Sequence, residues 1–236
     1  MLVCPTTRSK ILRFLPEGGE VAEIGVANGD FSQEILTHAS PRKLHLIDPW
    51  ERQERSDYAN DPSNVSTHQQ DDRYNAVLAR FSKEITGGTI SVHREYSKNA
   101  AAAFADGQLD WIYIDGMHTV EAAYDDLVTY APKIRAEGFI IGHDYTNHVQ
   151  ARDWNFGVVE AVNRFVLERG YEFVALTIEG FPTYVLTRNK DSARQMTEFL
   201  IRNVPYVVEV RDFPQKHQFE HKALTGKQGT LVYPSF

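Results

Sequence analysis

Apolar residues in this chain follow two alternating rhythms. Short runs such as Val21-Ala-Glu-Ile, Lys43-Leu-His-Leu-Ile, Thr89-Ile-Ser-Val-His, Asp110-Trp-Ile-Tyr-Ile and Phe139-Ile-Ile are separated by longer stretches in which apolar positions return every third or fourth residue. The first kind predicts buried strands and the second amphipathic helices. Helices are expected over 7–15, stopped by Pro16 and the Gly18-Gly19 pair, over 31–36, and around Tyr74, Val77, Leu78 and Phe81. Further helices are expected over 97–104, over 121–130 with Ala122, Leu127 and Tyr130 toward the core, and over 154–169, closed by Gly170. Strand and helix in alternation imply βαβ units and a parallel sheet.

After Gly170 the alternation stops. Tyr171-Glu-Phe-Val-Ala-Leu-Thr-Ile and Thr183-Tyr-Val-Leu-Thr are two strands joined by a short loop, so they form a hairpin with an antiparallel edge. Five βα units followed by a hairpin give an α/β, doubly wound, Rossmann-like sheet of seven mostly parallel strands. Residues 51–72 interrupt the pattern with a long polar stretch, and a loop of that length inside a compact domain is usually a functional lid or disordered. The expected organisation is one catalytic domain over 1–188, with the lid inserted at about 51–72, and an extension over 189–236. That extension carries a helix at 193–201, an apolar Tyr206-Val-Val-Glu-Val segment and a basic stretch with His217 and His221. It could serve as an arm in a homodimer or larger homo-oligomer.

Composition narrows the function. Hydrophobic residues make up 42% of the 236 and aromatics 11%, enough for a substantial core. A net charge of −7 argues against a surface built to coat nucleic acid. The single cysteine, Cys4, excludes an internal disulfide, fits a reducing compartment and has no neighbour that would activate it. With no apolar run of 18 residues and no signal-peptide core, a cytoplasmic protein without a membrane partner is expected.

The chemistry gathers at the strand ends. The first strand ends in Glu-Ile-Gly-Val-Ala-Asn-Gly, with Glu23 inside it, Gly25 and Gly29 in a turn, and a helix directly after. Glycines let a ligand approach the backbone, and a helix N-terminus offers free N–H groups, so the turn is a nucleotide-binding edge. It is not the dinucleotide fingerprint, because the third glycine is missing, and this disfavours a nicotinamide dehydrogenase. Ligands of open parallel sheets bind at the carboxyl ends of the strands. Four strands here end in or beside an acid: Glu23, Asp48, Asp115 and Asp144. Like charges on one rim need hydroxyls, cations or a metal as partners. Asp48, one βα unit after the glycine turn, is placed to accept from ribose hydroxyls.

The motifs Glu-Ile-Gly-Val-Ala-Asn-Gly, Ile-Asp48-Pro-Trp, Ile-Asp115-Gly-Met-His and Gly-His-Asp144-Tyr together resemble the class I S-adenosylmethionine-dependent methyltransferases. The resemblance spans about 8–188 and is nearest to the small-molecule branch with macrolide-sugar O-methyltransferases and cephalosporin-pathway methyltransferase-like proteins. It implies that Glu23, Gly25 and Gly29 line the methionine end of S-adenosylmethionine. Asp48 would hold the ribose, Trp50 would lie beside the adenosine, Ser97 would touch adenine, and Asp115 would also border the cofactor. In metal-dependent relatives, acids at the positions of Asp115 and Asp144 hold a divalent cation such as Mg²⁺, and a base stands where His118 is found. This sequence departs from them at Tyr145, where relatives that bind metal carry a second acid or an Asn. Asp115 and Asp144, with His118 or His143, could still hold the ion, or they could orient substrate by hydrogen bonds alone.

The expected activity is transfer of a methyl group to a hydroxyl of a small molecule, a sugar or secondary metabolite, with His118 and Asp115 catalytic. Alternatives are a metal-free small-molecule N-methyltransferase and a non-catalytic S-adenosylmethionine-binding protein of the same fold.

Overall fold

The computed structural model describes residues 1–59, 61–226 and 229–236. Its strands are β1 (Leu2–Cys4), β2 (Glu20–Ile24), β3 (Lys43–Ile47), β4 (Ile90–His93), β5 (Leu109–Ile114), β6 (Ile134–Gly142), β7 (Glu172–Thr177), β8 (Tyr184–Thr187), β9 (Val208–Glu209), β10 (Glu220–Gly226) and β11 (Gly229–Ser235). The helices are α1 (Arg8–Ile11), α2 (Asp30–Ala39), α3 (Thr67–Arg80), α4 (Ser82–Thr86), α5 (Ser97–Ala100), α6 (Val120–Tyr130), α7 (Val149–Asp153), α8 (Val158–Arg169) and α9 (Lys190–Asn203).

Nine strands form one sheet in the order β4-β3-β2-β5-β6-β8-β7-β1-β9, and β10 and β11 pair separately. Strands β2 to β6 are parallel, and β8 runs antiparallel between β6 and β7. The expectation of seven strands is corrected to nine. The additions are β1, parallel to β7, and β9, antiparallel to β1. At three and two residues they are too short to show a period, and only their partner across the sheet defines them.

Both faces of the sheet are buried, which is why the strands read as continuous apolar runs. Val21, Leu44, Leu46, Trp111, Tyr113 and Ile141 point to one face, under Ile11 of α1, Ile35 of α2, Val77 of α3 and Met196 and Leu200 of α9. Ala22, Ile24, Ile47, Ile112, Ile114 and Ile140 point to the other, under Leu127 of α6 and Phe165 of α8. Since α9 covers this core and β9 joins the sheet, both lie within the packed unit rather than in a separate extension.

The long polar segment is irregular over 51–59 and 61–66, and a capping box between Ser66 and Gln69 then starts α3 earlier than apolar spacing suggested. The helix expected over 154–169 is broken, because Trp154 ends α7 and α8 begins at Val158. Between them Asn155 is left-handed at φ +60°, and Gly157 leaves no room for a side chain. A Cβ there would lie 2.2 Å from Val120, and its N–H donates to the His118 carbonyl at 2.7 Å.

Strand order reverses where β2 meets β5, so the crevice beyond their carboxyl ends is the place for a ligand. The β5–β6 pairing shifts register between Leu109 and Trp111, and Gly138 makes that shift possible. A Cβ at 138 would lie 2.4 Å from the Asp110 carbonyl oxygen. Gly138→Ala should therefore lower stability by about 2 kcal/mol, within the usual cost of overpacking. Denaturant melts check this, and an unchanged midpoint would contradict the close approach.

Candidate active site

The loop after β2 is shaped by its backbone. Gly25 has φ +82°, and a Cβ on it would lie 1.9 Å from the Asp115 carbonyl oxygen, so no larger residue fits. Ala27 also adopts a left-handed conformation, φ +48°, which costs an L-residue about 1–2 kcal/mol. Asp48 holds it there. The carboxylate follows β3, and its Oδ2 accepts from the Val26 and Ala27 N–H groups at 2.9 and 3.0 Å while Oδ1 accepts from Trp50 N–H at 2.6 Å. The Trp50 indole completes the clamp by donating to the Ala27 carbonyl at 2.9 Å. Burial raises the Asp48 carboxyl above its ordinary range, with the backbone donors opposing the shift.

Two residues expected at the cofactor stand outside the cavity wall. Trp50 is 1% exposed and does not line the cavity; it packs behind the loop against Tyr74, with ring centroids 5.1 Å apart. Gly29 also stands off the cavity wall. It sits at φ +75° as the residue before α2, and a Cβ there would meet the Phe81 ring at 2.7 Å. Both residues shape the loop from outside the cavity.

The loop borders a cavity of about 670 Å³, a size usual for small-molecule sites. Glu23, Gly25, Ala27, Asp48, Ser97, Asp115 and His118 line it, so most of the residues singled out from the sequence meet around one space. Glu23 is 1% exposed, and its Oε2 accepts from the Ser32 hydroxyl of α2 at 2.5 Å. Burial pushes its carboxyl up to about 8. Farther along, the Ser97 hydroxyl donates to Asp126 at 2.5 Å, and burial likewise pushes Asp126 up to about 6.

The remaining groups cluster at one end. Asp115, His118 and Asp144 place their donor atoms within 4.8 Å of one another, a spacing one divalent cation could bridge. Two hard carboxylates and an imidazole suit Mg²⁺ or Mn²⁺. His118 Nδ1 meets Asp144 Oδ2 at 2.9 Å, and its Nε2 lies 3.5 Å from Asp61 Oδ2. Burial disfavours charge on this ring, but the pairing with Asp144, aided by Asp61 and Asp115, outweighs it and pushes His118 up to about 9. The same pairing holds Asp144 below its ordinary range against its own burial. Burial and the Asp144 charge push Asp115 up to about 7. Groups this close exchange protons as one unit.

The cap of α6 is Thr119, whose hydroxyl accepts from Ala122 N–H, so His118 is not there as a capping residue. Tyr145 is fully buried away from the cluster, and its hydroxyl donates to Asn163 at 2.7 Å. His143, pushed down to about 4 by burial, bonds Thr183 through Nδ1 and leaves Nε2 3.9 Å from Asp144. Cys4 is buried and its thiol is pushed up to about 12, which keeps it unreactive.

Sequence reasoning missed three residues here. Asp126 had a usable signal, since it shares the buried stripe of α6 with Ala123, Leu127 and Tyr130. Asp61 and Arg8 had none. Asp61 comes from the long polar segment and Arg8 from the short α1, and each reaches the cluster only through tertiary folding.

The strand order, the glycine loop and the antiparallel β8 together define a class I, S-adenosylmethionine-dependent methyltransferase fold. The family described as a methyltransferase domain matches residues 22–145, more than half of the chain, and the protein belongs to that family. Among solved structures, an O-methyltransferase family protein from Burkholderia thailandensis aligns with TM-score 0.54 at 12% identity, covering 77% of this chain and 55% of its own. Spermidine synthase from Thermotoga maritima aligns with TM-score 0.51 at 13% identity, covering 84% of this chain and 63% of its own. Precorrin-6y C5,15-methyltransferase from Geobacter metallireducens aligns with TM-score 0.50 at 14% identity, covering 76% of this chain and 85% of its own. At such identities these are likenesses of fold, and the chain spans less than two thirds of the first two. Comparison with curated proteins returns no match. Among the described residues no helix is long and apolar enough to cross a membrane.

Two predictions follow from the loop and from Glu23. Asp48→Ala should destabilise the fold by about 2 kcal/mol or more, because three backbone donors lose their acceptor. Ala27→Gly should stay within about 1 kcal/mol of wild type, because glycine adopts the left-handed conformation freely. Equal losses in denaturant melts of the two variants would refute the clamp. Glu23 rises from an ordinary 4.5 to about 8, so it contributes stability in full below pH 4.5 and loses that contribution as pH rises toward 8. Wild type should lose more stability between pH 5 and pH 8 than Glu23→Gln; parallel curves would show that Glu23 is not buried as a neutral acid.

Proposed function

We propose that the protein transfers the methyl group of S-adenosylmethionine to a hydroxyl of a small molecule, a sugar or secondary metabolite, with help from a divalent cation. One observation carries this reading: the Asp48-clamped glycine loop shares its cavity with Asp115 and His118, whose ring Asp144 holds. A donor cradle thus adjoins a group able to take a proton.

When bound, the donor supplies an electrophilic methyl group on a positively charged sulfur. Gly25 gives its methionine end access to the backbone, beside the Glu23 carboxyl. Asp48 Oδ1 accepts one hydrogen bond, from Trp50, and keeps capacity for a ribose hydroxyl. Ser97 and Asp126 stand at the adenine end of this reading, where Asp126 can accept from an amino group.

Methyl transfer needs the acceptor oxygen in line with the methyl–sulfur bond and the acceptor's proton removed. A cation held by Asp115 and Asp144 would supply polarisation of the acceptor oxygen and lower its pKa. The chain's own part is the proton. Held between Asp144 and Asp61, His118 has the high proton affinity required of the final acceptor, but the clamp also keeps it protonated at neutral pH. Asp115, at about 7, is balanced between its forms there. A cation on the two carboxylates would weaken their hold on the His118 proton, leaving the ring able to enter the step unprotonated and take the acceptor's proton.

The test measures donor binding by calorimetry and product formation across hydroxyl and amine acceptors, with EDTA or Mg²⁺. His118→Ala should bind S-adenosylmethionine within about twofold of wild type and turn over about 10²–10⁴ times more slowly, the usual range for a lost acid–base group. EDTA should abolish turnover of hydroxyl acceptors and Mg²⁺ should restore it. Turnover of amines in EDTA would replace this reading with metal-free N-methylation. Failure to bind S-adenosylmethionine at hundreds of micromolar would end both.

A further inference from the structure

The cavity contains a cation that the proposed reaction does not use. Arg8, the first residue of α1, lines it together with Glu23, Gly25, Phe31 and Asp115. Its Nη1 donates to the Tyr113 hydroxyl at 3.3 Å and to Asp115 Oδ2 at 3.2 Å, and its guanidinium lies 4.8 Å from the centre of the Phe31 ring. The segment is tethered as well, since the Arg8 backbone N–H donates to Glu179 Oε1 at 2.9 Å. Nη2 and Nε make no hydrogen bond among the described residues, so part of the guanidinium fork is free on a side chain 34% exposed. The other cations on the wall are engaged or distant. Arg55 pairs with Asp57, Arg73 donates to the Ser63 carbonyl, and Lys98 follows Ser97 at the opposite end.

Beside the glycine loop, then, stand two carboxyl groups, Glu23 and Asp115, and one guanidinium with spare donors. That mixture complements a zwitterion. The methionine end of S-adenosylmethionine carries an ammonium, which needs acceptors, and a carboxylate, which needs donors. Guanidinium–carboxylate pairs are among the stronger hydrogen-bonded contacts, and a planar fork recognises both carboxylate oxygens. We propose that Arg8 binds the α-carboxylate of the donor, making the protein selective for the complete amino-acid end over the decarboxylated form. This rests on the reading that the cavity holds S-adenosylmethionine.

The test compares S-adenosylmethionine with its decarboxylated form, which differ only in that carboxylate, by calorimetry on wild type, Arg8→Met and Arg8→Lys. Wild type should bind the complete donor at least about tenfold more tightly, as expected for a charged hydrogen-bonded pair. Arg8→Met should lose that preference and bind the two alike, and Arg8→Lys should keep part of it. The ratio cancels any effect of leaving Asp115 unpaired, because both ligands carry the same ammonium. Wild type binding the two equally, or Arg8→Met keeping the full preference, overturns the assignment and leaves the donor reading standing. Wild type binding neither ligand overturns both. If Arg8→Met fails to fold, judged by its thermal melt, the wild-type ratio still decides.

Discussion

The site depends on one hydrogen-bonded clamp. A left-handed alanine in a loop that must border a ligand would relax if nothing held it, because its neighbours have better conformations available. Asp48 and Trp50 prevent that by fixing the N–H of Ala27 on one side and its carbonyl on the other. The price is a half-buried carboxylate and a tryptophan that is itself left-handed at φ +43°. The acid after β3 therefore shapes the donor cradle before it meets any ligand. Its structural and binding roles belong to one group, whose second oxygen keeps room for a further donor.

The wider constraint is electrostatic. The fold brings Glu23, Asp48, Asp115 and Asp144 to one rim, and four bare carboxylates in a partly buried space would repel. Each is relieved differently. Glu23 is buried enough to hold its proton, with the Ser32 hydroxyl beside it. Asp48 gathers backbone N–H groups, Asp115 pairs with Arg8, and Asp144 pairs with His118. The partners come from α2, the glycine loop, α1 and the loop before α6, so distant segments are tied together at the crevice. The preference of His118 for its proton follows from the same arrangement, since it is the counter-ion of this rim.

What was legible in the sequence is what local periodicity encodes. The runs around Val21, Leu44, Trp111 and Ile140 are apolar on nearly every residue because both sheet faces are covered, and that marked them as parallel strands. The acids at their ends were visible because they break those runs. Contacts made only by tertiary folding were hidden. Leu2-Val-Cys becomes a strand through β7, and Arg8 reaches Asp115 across most of the domain. Trp50 and Gly29 were placed on the cavity because their neighbours in sequence line it, yet Trp50 turns behind the loop and Gly29 is small to admit Phe81. Sequence adjacency does not fix which way a side chain faces when the backbone leaves the extended region.

The same geometry explains why Tyr145 does not empty the cluster. Asp144 lies at φ +59°, a conformation that aspartate tolerates better than most residues, and the chain turns sharply there. The turn keeps the Asp144 carboxylate on His118 and sends the next side chain into the core, against Phe173, Tyr184 and Phe219. An acid at 145 in this backbone would be buried among aromatic rings, without a cation and beyond the cluster. Tyrosine satisfies that place with a ring and one hydrogen bond, and Phe219 and His221 of the tail pack over the turn, where His221 bonds Thr146 at 2.7 Å.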